Sequence, residues 1–174
     1  MKVDQVLNVL KAALGEGLAH TEVRVRRVGA KAPVELKEIW AEIDRDAIVP
    51  AVAALKALGP LHMSVISGQD AGERIELLYH IAVGYGTEGG EVMVTLRLAV
   101  PKDDARVPSI CHLIPGAETT EREKIEFLGV EFVGIPDSRH VFLPDDLPVH
   151  PWRKDEPEME RFLRRMVEWE GKDG

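Results

Sequence analysis

The sequence predicts an α+β fold, with helices on one face of a mainly antiparallel sheet, followed by an extended C-terminal arm and a terminal helix. Two observations carry this prediction. One is a pair of alternating apolar runs around a glycine-rich turn, and the other is the helical spacing of apolar residues near both ends of the chain. With 174 residues, 45% of them hydrophobic, the chain can bury a core without a disulfide or a metal.

The alternating runs predict a β-hairpin. Residues 74–83 carry Ile75, Leu77, Tyr79 and Ile81 at every second position, and residues 92–100 repeat the pattern. The turn between them, residues 84–90, contains four glycines, which tolerate the backbone angles of tight turns.

The N-terminal half adds further elements. Apolar residues three and four apart predict a helix over residues 3–14, which Gly15 and Gly17 can end. A second helix is expected from about Ala47 to Leu58, with Asp44 or Asp46 as its cap. Strands are expected at residues 23–27, half-buried, and at residues 36–43 and 61–67.

The composition changes in the C-terminal part of the chain, where proline becomes frequent. Eight of the eleven prolines lie at or beyond Pro101, and five of them fall within residues 135–157. Proline removes a backbone donor and favours extended chain. We therefore divide the sequence into an α+β core domain, residues 1–134, and a region of extended arm and C-terminal helix, residues 135–174. The helix is expected over Glu158 to Trp169.

The composition bounds the function classes. A net charge of −8 argues against a general nucleic-acid binder, and no apolar run approaches the roughly 20 residues that span a bilayer. Membrane association is therefore expected only through a partner. The single cysteine, Cys111, is expected to be structural, and the six histidines show no metal-binding spacing, so no metal or cofactor is predicted.

Residues 74–155 carry short motifs in a characteristic order. In sequence they are Arg74-Ile-Glu-Leu-Leu-Tyr-His80, Leu96-Arg-Leu-Ala-Val-Pro-Lys-Asp-Asp104, Val107-Pro-Ser109, Pro115-Gly-Ala117, Glu121-Arg-Glu123, Glu126-Phe-Leu-Gly-Val130, Gly134-Ile-Pro-Asp137, Leu143-Pro-Asp-Asp146 and His150-Pro-Trp-Arg-Lys-Asp155. This order resembles the 30-kDa (C) subunit family of complex I and its membrane-bound hydrogenase relatives. Thr119 and Thr120 replace a usual aromatic pair and Ile135 a usual histidine, which favours a divergent branch, such as that of nickel–iron hydrogenases or ferredoxin-linked complexes.

The resemblance implies a scaffold subunit without a cofactor. Such a subunit packs beside a large redox subunit that bears a quinone or nickel–iron site and works with an iron–sulfur subunit. It would lie on the cytoplasmic side of the membrane, held there by the complex. The residues predicted to contact a partner are Glu121, Arg122, Glu123, Asp137, Arg139, His150, Trp152, Arg153, Lys154 and Asp155.

Two of these groups also have local interpretations. Thr120 and Glu123 can form a capping box, and Arg122 can pair with Glu126 four residues on. In residues 150–155, the types most enriched at interface hot spots, Trp and Arg, follow a proline. The same segment can instead fold over its own domain, with Trp152 filling a local gap.

Two rival functions remain open from sequence. The first is a small stand-alone enzyme that uses His150 with Asp145 or Asp146. The second is a general binding module whose arm grips an unrelated protein. A pocket where these groups converge would favour the enzyme.

Overall fold

The computed structural model of the chain describes residues 2–31, 33–87, 90–144, 147 and 149–156. These residues form three α-helices and seven strands. The predicted C-terminal helix over Glu158 to Trp169 lies outside the described residues, as do Asp145 and Asp146.

Five strands form the main sheet. They are β1 (Leu18–Val28), β2 (Val34–Ile43), β3 (Leu61–Asp70), β4 (Arg74–Val83) and β5 (Val92–Pro101). Their order is β1-β2-β5-β4-β3, and every pair is antiparallel except β2 with β5. Two short strands, β6 (Arg106–Pro108) and β7 (Glu131–Val133), form a separate parallel pair. The predicted mainly antiparallel sheet is confirmed.

The β4–β5 hairpin has the predicted inward face. Its register pairs Leu77 with Leu98 and Val83 with Val92, so apolar side chains of the two strands meet on the same side. These side chains are buried. Each large apolar side chain buried in this way contributes about 1.5–3 kcal/mol.

The helices are α1 (Val3–Leu14), α2 (Ile48–Lys56) and α3 (Glu118–Leu128), and they cover one face of the sheet. Helix α1 buries Val6 and Leu10 against α2 and the sheet. Helix α3 packs on β3, where a Cβ atom at Gly68 would lie 2.6 Å from the side chain of Leu128. The missing side chain at Gly68 therefore permits the close approach of α3.

Two expectations in the N-terminal half are wrong. No side chain of Asp44 or Asp46 caps α2, because a 3-10 turn over Arg45–Ala47 precedes it and the amide of Ala47 donates to the Asp44 carbonyl at 3.0 Å. Strand β1 is mostly exposed, rather than half-buried, since the helices do not reach over its second half.

The local interpretation of the motif at residues 120–126 is also wrong. Helix α3 begins at Glu118, so Thr120 lies inside its first turn and donates to the carbonyl of Ala117 at 3.0 Å. No capping box forms there. Arg122 and Glu126 do not pair, because each binds the loop that follows β7.

The described residues beyond 134 contain no helix or strand, and they lie against α3. The division of the chain at residue 134 stays a prediction. The contacts between this segment and α3 build the surface described next.

Candidate docking interface

Arg122, on α3, holds one side of the loop over residues 137–143. Its guanidinium donates to the carbonyl oxygens of Arg139 at 2.7 Å and His140 at 3.0 Å, and it lies 3.4 Å from the carboxylate of Asp137. Asp137 in turn accepts hydrogen bonds from the side chain and the amide of Arg139, and these bonds hold the pKa of Asp137 well below its usual range. Asp137 therefore stays ionised at neutral pH.

Glu126, one helical turn further on, holds the other side of the same loop. Its buried carboxylate accepts hydrogen bonds from the amides of Val141, Phe142 and Leu143 at 3.1–3.3 Å. Backbone donors aimed at one carboxylate form charge-assisted bonds, which are stronger than neutral ones. Together, Arg122 and Glu126 bind the carbonyls and the amides of consecutive residues, so α3 fixes the loop backbone.

The segment over residues 150–155 lies along the C-terminal end of α3. The His150 ring nitrogen Nδ1 is 3.0 Å from the carbonyl of Glu126, and the amide of Trp152 donates to the carbonyl of Phe127 at 2.9 Å. Helix α3 ends at Gly129 in the left-handed conformation, at φ 69°. A Cβ atom there would lie 2.7 Å from the His150 ring, so the glycine is needed both for the turn and for this contact.

The Trp152 ring rests on its own chain. It stacks on Phe127 with ring centroids 4.4 Å apart, and the ammonium of Lys124 lies 4.8 Å from its centroid. Stacking and cation–π contacts of this kind contribute about 0.5–1.5 kcal/mol each. The predicted filling of a local gap thus accounts for part of the ring surface, while 42% of Trp152 remains exposed.

A buried aspartate at the end of β3 pins the same segment. Asp70 accepts from the amide of Lys154 at 2.7 Å and from the ammonium of Lys102 at 2.6 Å, and Lys102 also bonds Asp155 at 2.9 Å. Burial by itself raises the pKa of Asp70, but the bonds from Lys102, Lys154 and Gly72 outweigh it and lower the pKa. The buried charge of Asp70 is therefore compensated by groups of the arm and of the chain just after β5.

Three side chains of this assembly are open to solvent. Phe142 is 64% exposed, the Arg139 side chain is 79% exposed, and Trp152 keeps the exposed part described above. Phe127 contacts both aromatic rings, with its centroid 6.3 Å from that of Phe142. Exposed aromatic and arginine side chains on a fixed backbone are the usual composition of an interface hot spot. We call Arg139, Phe142 and Trp152, with the loop and segment that carry them, the α3 surface.

Glu121 does not belong to the α3 surface, although the sequence predicts it as a contact residue. It is fully buried and accepts hydrogen bonds from the Ser109 hydroxyl at 2.6 Å, the Ile110 amide at 2.9 Å and the Cys111 thiol at 3.2 Å. Burial raises the pKa of Glu121, and burial also raises the pKa of the Cys111 thiol to about 12. Cys111 is buried, which agrees with the structural role expected of it.

The remaining predicted contact residues are spread around this surface. Glu123 pairs with the buried ammonium of Lys124, which it helps to hold near the Trp152 ring. Arg153 donates to Asp155 at 3.1 Å, and this bond holds the pKa of Asp155 well below its usual range. Their role toward a partner stays a prediction.

Sequence reasoning missed four residues of this assembly, namely Asp70, Lys102, Glu126 as a loop ligand, and Phe142. Asp70 and Lys154 are 84 positions apart, and no local pattern connects them. The sequence does contain a weak indication for Phe142, because aromatic residues are enriched at interfaces and Phe142 lies in a proline-rich stretch.

His150 lines a shallow groove of about 220 Å³ together with mainly apolar residues from the end of α3 to the chain just after β7. Asp145 and Asp146, its predicted catalytic partners, lie outside the described residues. Within the part of the chain that the structure describes, no group of three or more His, Cys, Asp or Glu side chains is placed to hold a metal ion.

The family model for the respiratory-chain NADH dehydrogenase 30-kDa subunit matches residues 41–161. The chain belongs to this family. The match includes α3, the loop over residues 137–143 and the segment over residues 150–155. The motifs over residues 74–155 that carry the resemblance therefore lie within the range matched by the family model.

Two curated proteins are similar over most of the chain. The membrane-bound hydrogenase subunit beta of Pyrococcus furiosus is 33% identical over 123 residues, covering 69% of this chain and 70% of that protein. NADH-quinone oxidoreductase subunit 5 of Thermus thermophilus is 32% identical over 136 residues, covering 72% of this chain and 66% of that protein. The chain thus spans about two thirds of the length of these relatives.

Two solved structures share the fold of this chain. A trypsin-resistant fragment of Nqo5 matches with a TM-score of 0.58 and 25% identity, over 79% of this chain and 99% of the fragment. A chain of the membrane-bound sulfane sulfur reductase, an archaeal respiratory membrane complex, matches with a TM-score of 0.68 and 24% identity, over 94% of this chain and 90% of that chain. None of the helices among the described residues has the length and apolarity to cross a bilayer.

Proposed function

We propose that this chain is a non-catalytic scaffold subunit of a membrane-associated respiratory redox complex, and that it docks on the large subunit through the α3 surface. The observation that carries the proposal is that α3 holds the outward-facing loop, residues 137–143, from two sides. Arg122 binds its carbonyls and Glu126 its amides, so Phe142 and Arg139 are presented on an ordered backbone.

Preorganisation is the physical reason why such a surface suits docking. Ordering a loop on binding costs about 0.5–1.5 kcal/mol for each immobilised side chain, and a loop that is already ordered avoids much of that cost. The Asp70–Lys102 contacts do the same for the segment that carries Trp152. The chain uses its charged side chains to order its own backbone and leaves aromatic faces for a partner.

The proposed partners are those that the resemblance to the family implies. The large subunit would bear the quinone or nickel–iron site, and an iron–sulfur subunit would complete the peripheral part of the complex. The chain itself would bind no cofactor and no nucleic acid. It would lie on the cytoplasmic side of the membrane, and its contact with the membrane would come through the complex.

The test is affinity purification of the tagged full-length chain from its native membranes, with mass spectrometry of the recovered proteins. We expect a large redox subunit, an iron–sulfur subunit and membrane subunits in constant ratio to the tagged chain. Recovery of the chain without any redox subunit overturns the proposal. Turnover of a small substrate by the isolated chain would favour the enzyme alternative, and recovery of unrelated proteins the general binding module.

A further inference from the structure

Strands β1 and β2 extend past the rest of the main sheet. Strand β2 pairs with β5 only over Glu38–Glu42, whereas its pairing with β1 continues to Val34. Residues 24–37 thus form a two-stranded antiparallel ribbon. Ala32 is not among the described residues. Within the described part of the chain, β1 has β2 as its one neighbouring strand, so the outer edge of β1 is free.

The ribbon exposes valines on both of its faces. Val25 is 55% exposed on the helix side, and the cross-strand pair Val28 and Val34 is 45% and 64% exposed on the other side. A lone two-stranded hairpin is marginally stable in water, and free strand edges in native proteins are usually covered or blunted. The exposed valines and the free edge together indicate a surface that a partner covers.

The charge of the ribbon is opposite to that of the chain. Together with Glu38, the cross-strand partner of Arg24, residues 24–37 contain five Lys or Arg side chains and two acidic residues, whereas the whole chain has a net charge of −8. Two of the arginines are used locally: Arg24 bonds Glu22 at 2.7 Å and lies 5.3 Å from the Trp40 ring centroid, and Arg26 bonds Glu38 at 2.8 Å. These contacts fix the base of the ribbon.

The charge that remains faces solvent. Lys37 is partly buried, whereas Arg27 and Lys31 are both exposed. Glu35 is the cross-strand neighbour of Arg27, but no ion pair of Arg27 or Lys31 forms among the described residues. A basic strand edge is attracted to an acidic surface, and such complementarity sets both the rate and the register of docking.

We propose that the ribbon is a second docking element, which binds an acidic segment of another subunit along the free edge of β1. The segment's backbone would satisfy the unpaired amides and carbonyls of β1, its carboxylates would meet Arg27 and Lys31, and its apolar residues would cover Val25, Val28 and Val34. Strand addition of this kind draws affinity from main-chain bonds and specificity from alternating side chains. The inference rests on the proposed function, since it requires that the chain assemble with other subunits.

An acidic protein segment fits the ribbon better than an anionic lipid surface does. Free backbone amides and carbonyls are not tolerated in the hydrocarbon region, so the edge of β1 cannot enter a bilayer unpaired. The ribbon also lacks the tryptophan and tyrosine side chains that anchor proteins at the membrane interface. A second copy of this chain, which is acidic outside the ribbon, remains an outcome for the test to identify.

The experiment compares the purified complex with the isolated full-length chain. Amide hydrogen exchange is measured for residues 24–37 in both, and a photo-crosslinking amino acid placed at Val25 identifies the neighbour in the complex. We expect exchange in the ribbon to slow by at least about tenfold on assembly, and the crosslink to fall in an acidic segment of another subunit.

The charge requirement is tested by Arg27→Glu/Lys31→Glu, with Lys2→Glu/Lys11→Glu as a matched control. The control makes the same charge change at two exposed lysines of the α1 region. We expect the ribbon variant alone to lose protection of residues 24–37, and the protection of the wild-type ribbon to weaken as salt is raised. Equal behaviour of the two variants contradicts a charge-guided contact.

The remaining outcomes separate the two proposals. If the wild-type complex assembles while the ribbon exchanges as fast as in the isolated chain, the ribbon inference is overturned and the α3 surface stands. A crosslink to lipid or to a second copy of the chain also overturns it. If the wild-type chain recovers no redox subunit, the proposed function fails and the ribbon inference falls with it.

Discussion

At the scale of single residues, Glu121 is predicted from the sequence to contact a partner, but in the structure it is buried. The sequence places it between Thr120 and Arg122 in a charged run, which is typical of an exposed helix. The structure turns it inward, where Ser109, Ile110 and Cys111 all donate to it. A buried carboxyl costs free energy unless its oxygens are bonded, and these three donors offset that cost.

Glu121→Gln should reveal this burial through pH. Because burial raises the folded-state pKa of Glu121, the folded chain holds this proton more tightly than the unfolded chain does, and stability is lost as pH rises above its ordinary value of 4.5. Glutamine mimics the protonated carboxyl and cannot titrate. We expect the variant to gain stability relative to wild type as pH rises from about 5 to about 8 in urea unfolding. Parallel profiles over that range would contradict the assignment.

Tyr79 differs from Glu121, because its buried hydroxyl has no hydrogen-bond partner among the described residues. An unsatisfied buried hydroxyl costs about 1–3 kcal/mol. Tyr79→Phe removes the hydroxyl and keeps the ring, so we expect the free energy of unfolding to stay equal or to rise by about 1 kcal/mol. Tyr85→Phe, at an exposed tyrosine, serves as the control. A loss of more than about 1 kcal/mol for Tyr79→Phe would mean that the hydroxyl has a bonding role.

At the scale of elements, α3 shows where sequence patterns stop being informative. Residues four apart on a helix predict an Arg122–Glu126 pair, worth a few tenths of a kcal/mol. The loop over residues 137–143 offers each of them stronger bonds to backbone groups, and these win. Nothing in the helix sequence reveals that loop. The β4–β5 hairpin, by contrast, follows from local alternation and a local turn, so both its bounds and its inward face could be predicted.

Glu126→Gln should release the loop from α3. The amide group of glutamine presents one acceptor where the carboxylate presents two, so some of the bonds from residues 141–143 are lost. We expect faster amide exchange at these residues and a moderate loss of stability, because buried bonds to Glu126 are lost. Glu16→Gln, the same change at an exposed glutamate outside α3, should leave the loop protected. Unchanged exchange in Glu126→Gln would mean that the loop is ordered by other contacts.

At the scale of the whole molecule, the fold leaves two separate parts of its surface incomplete. The α3 surface presents Phe142 and Trp152 on a backbone fixed by internal ion pairs and hydrogen bonds. The ribbon, which extends past the residues where β2 pairs with β5, presents exposed valines and basic side chains. The layer architecture could be predicted, because it follows from the periodicity of apolar residues. The contacts of the segment after residue 134 could not, because they join positions far apart in the chain.

The most direct test of the docking account is co-purification of Phe142→Ala/Trp152→Ala with the complex, compared with Tyr85→Ala. Tyr85 is a comparably exposed aromatic residue that lies just after the C-terminal end of β4. Asp70, by contrast, pairs near the N-terminal end of β4. Removing both side chains should reduce recovery of the large redox subunit by at least about tenfold, while recovery with Tyr85→Ala stays at the wild-type value. Loss of the Trp152 stacking and cation–π contacts should also lower the melting temperature of the double variant by a few degrees, so recovery is compared well below that transition. Wild-type recovery of the large subunit by the double variant would contradict the claim that this chain docks through the α3 surface.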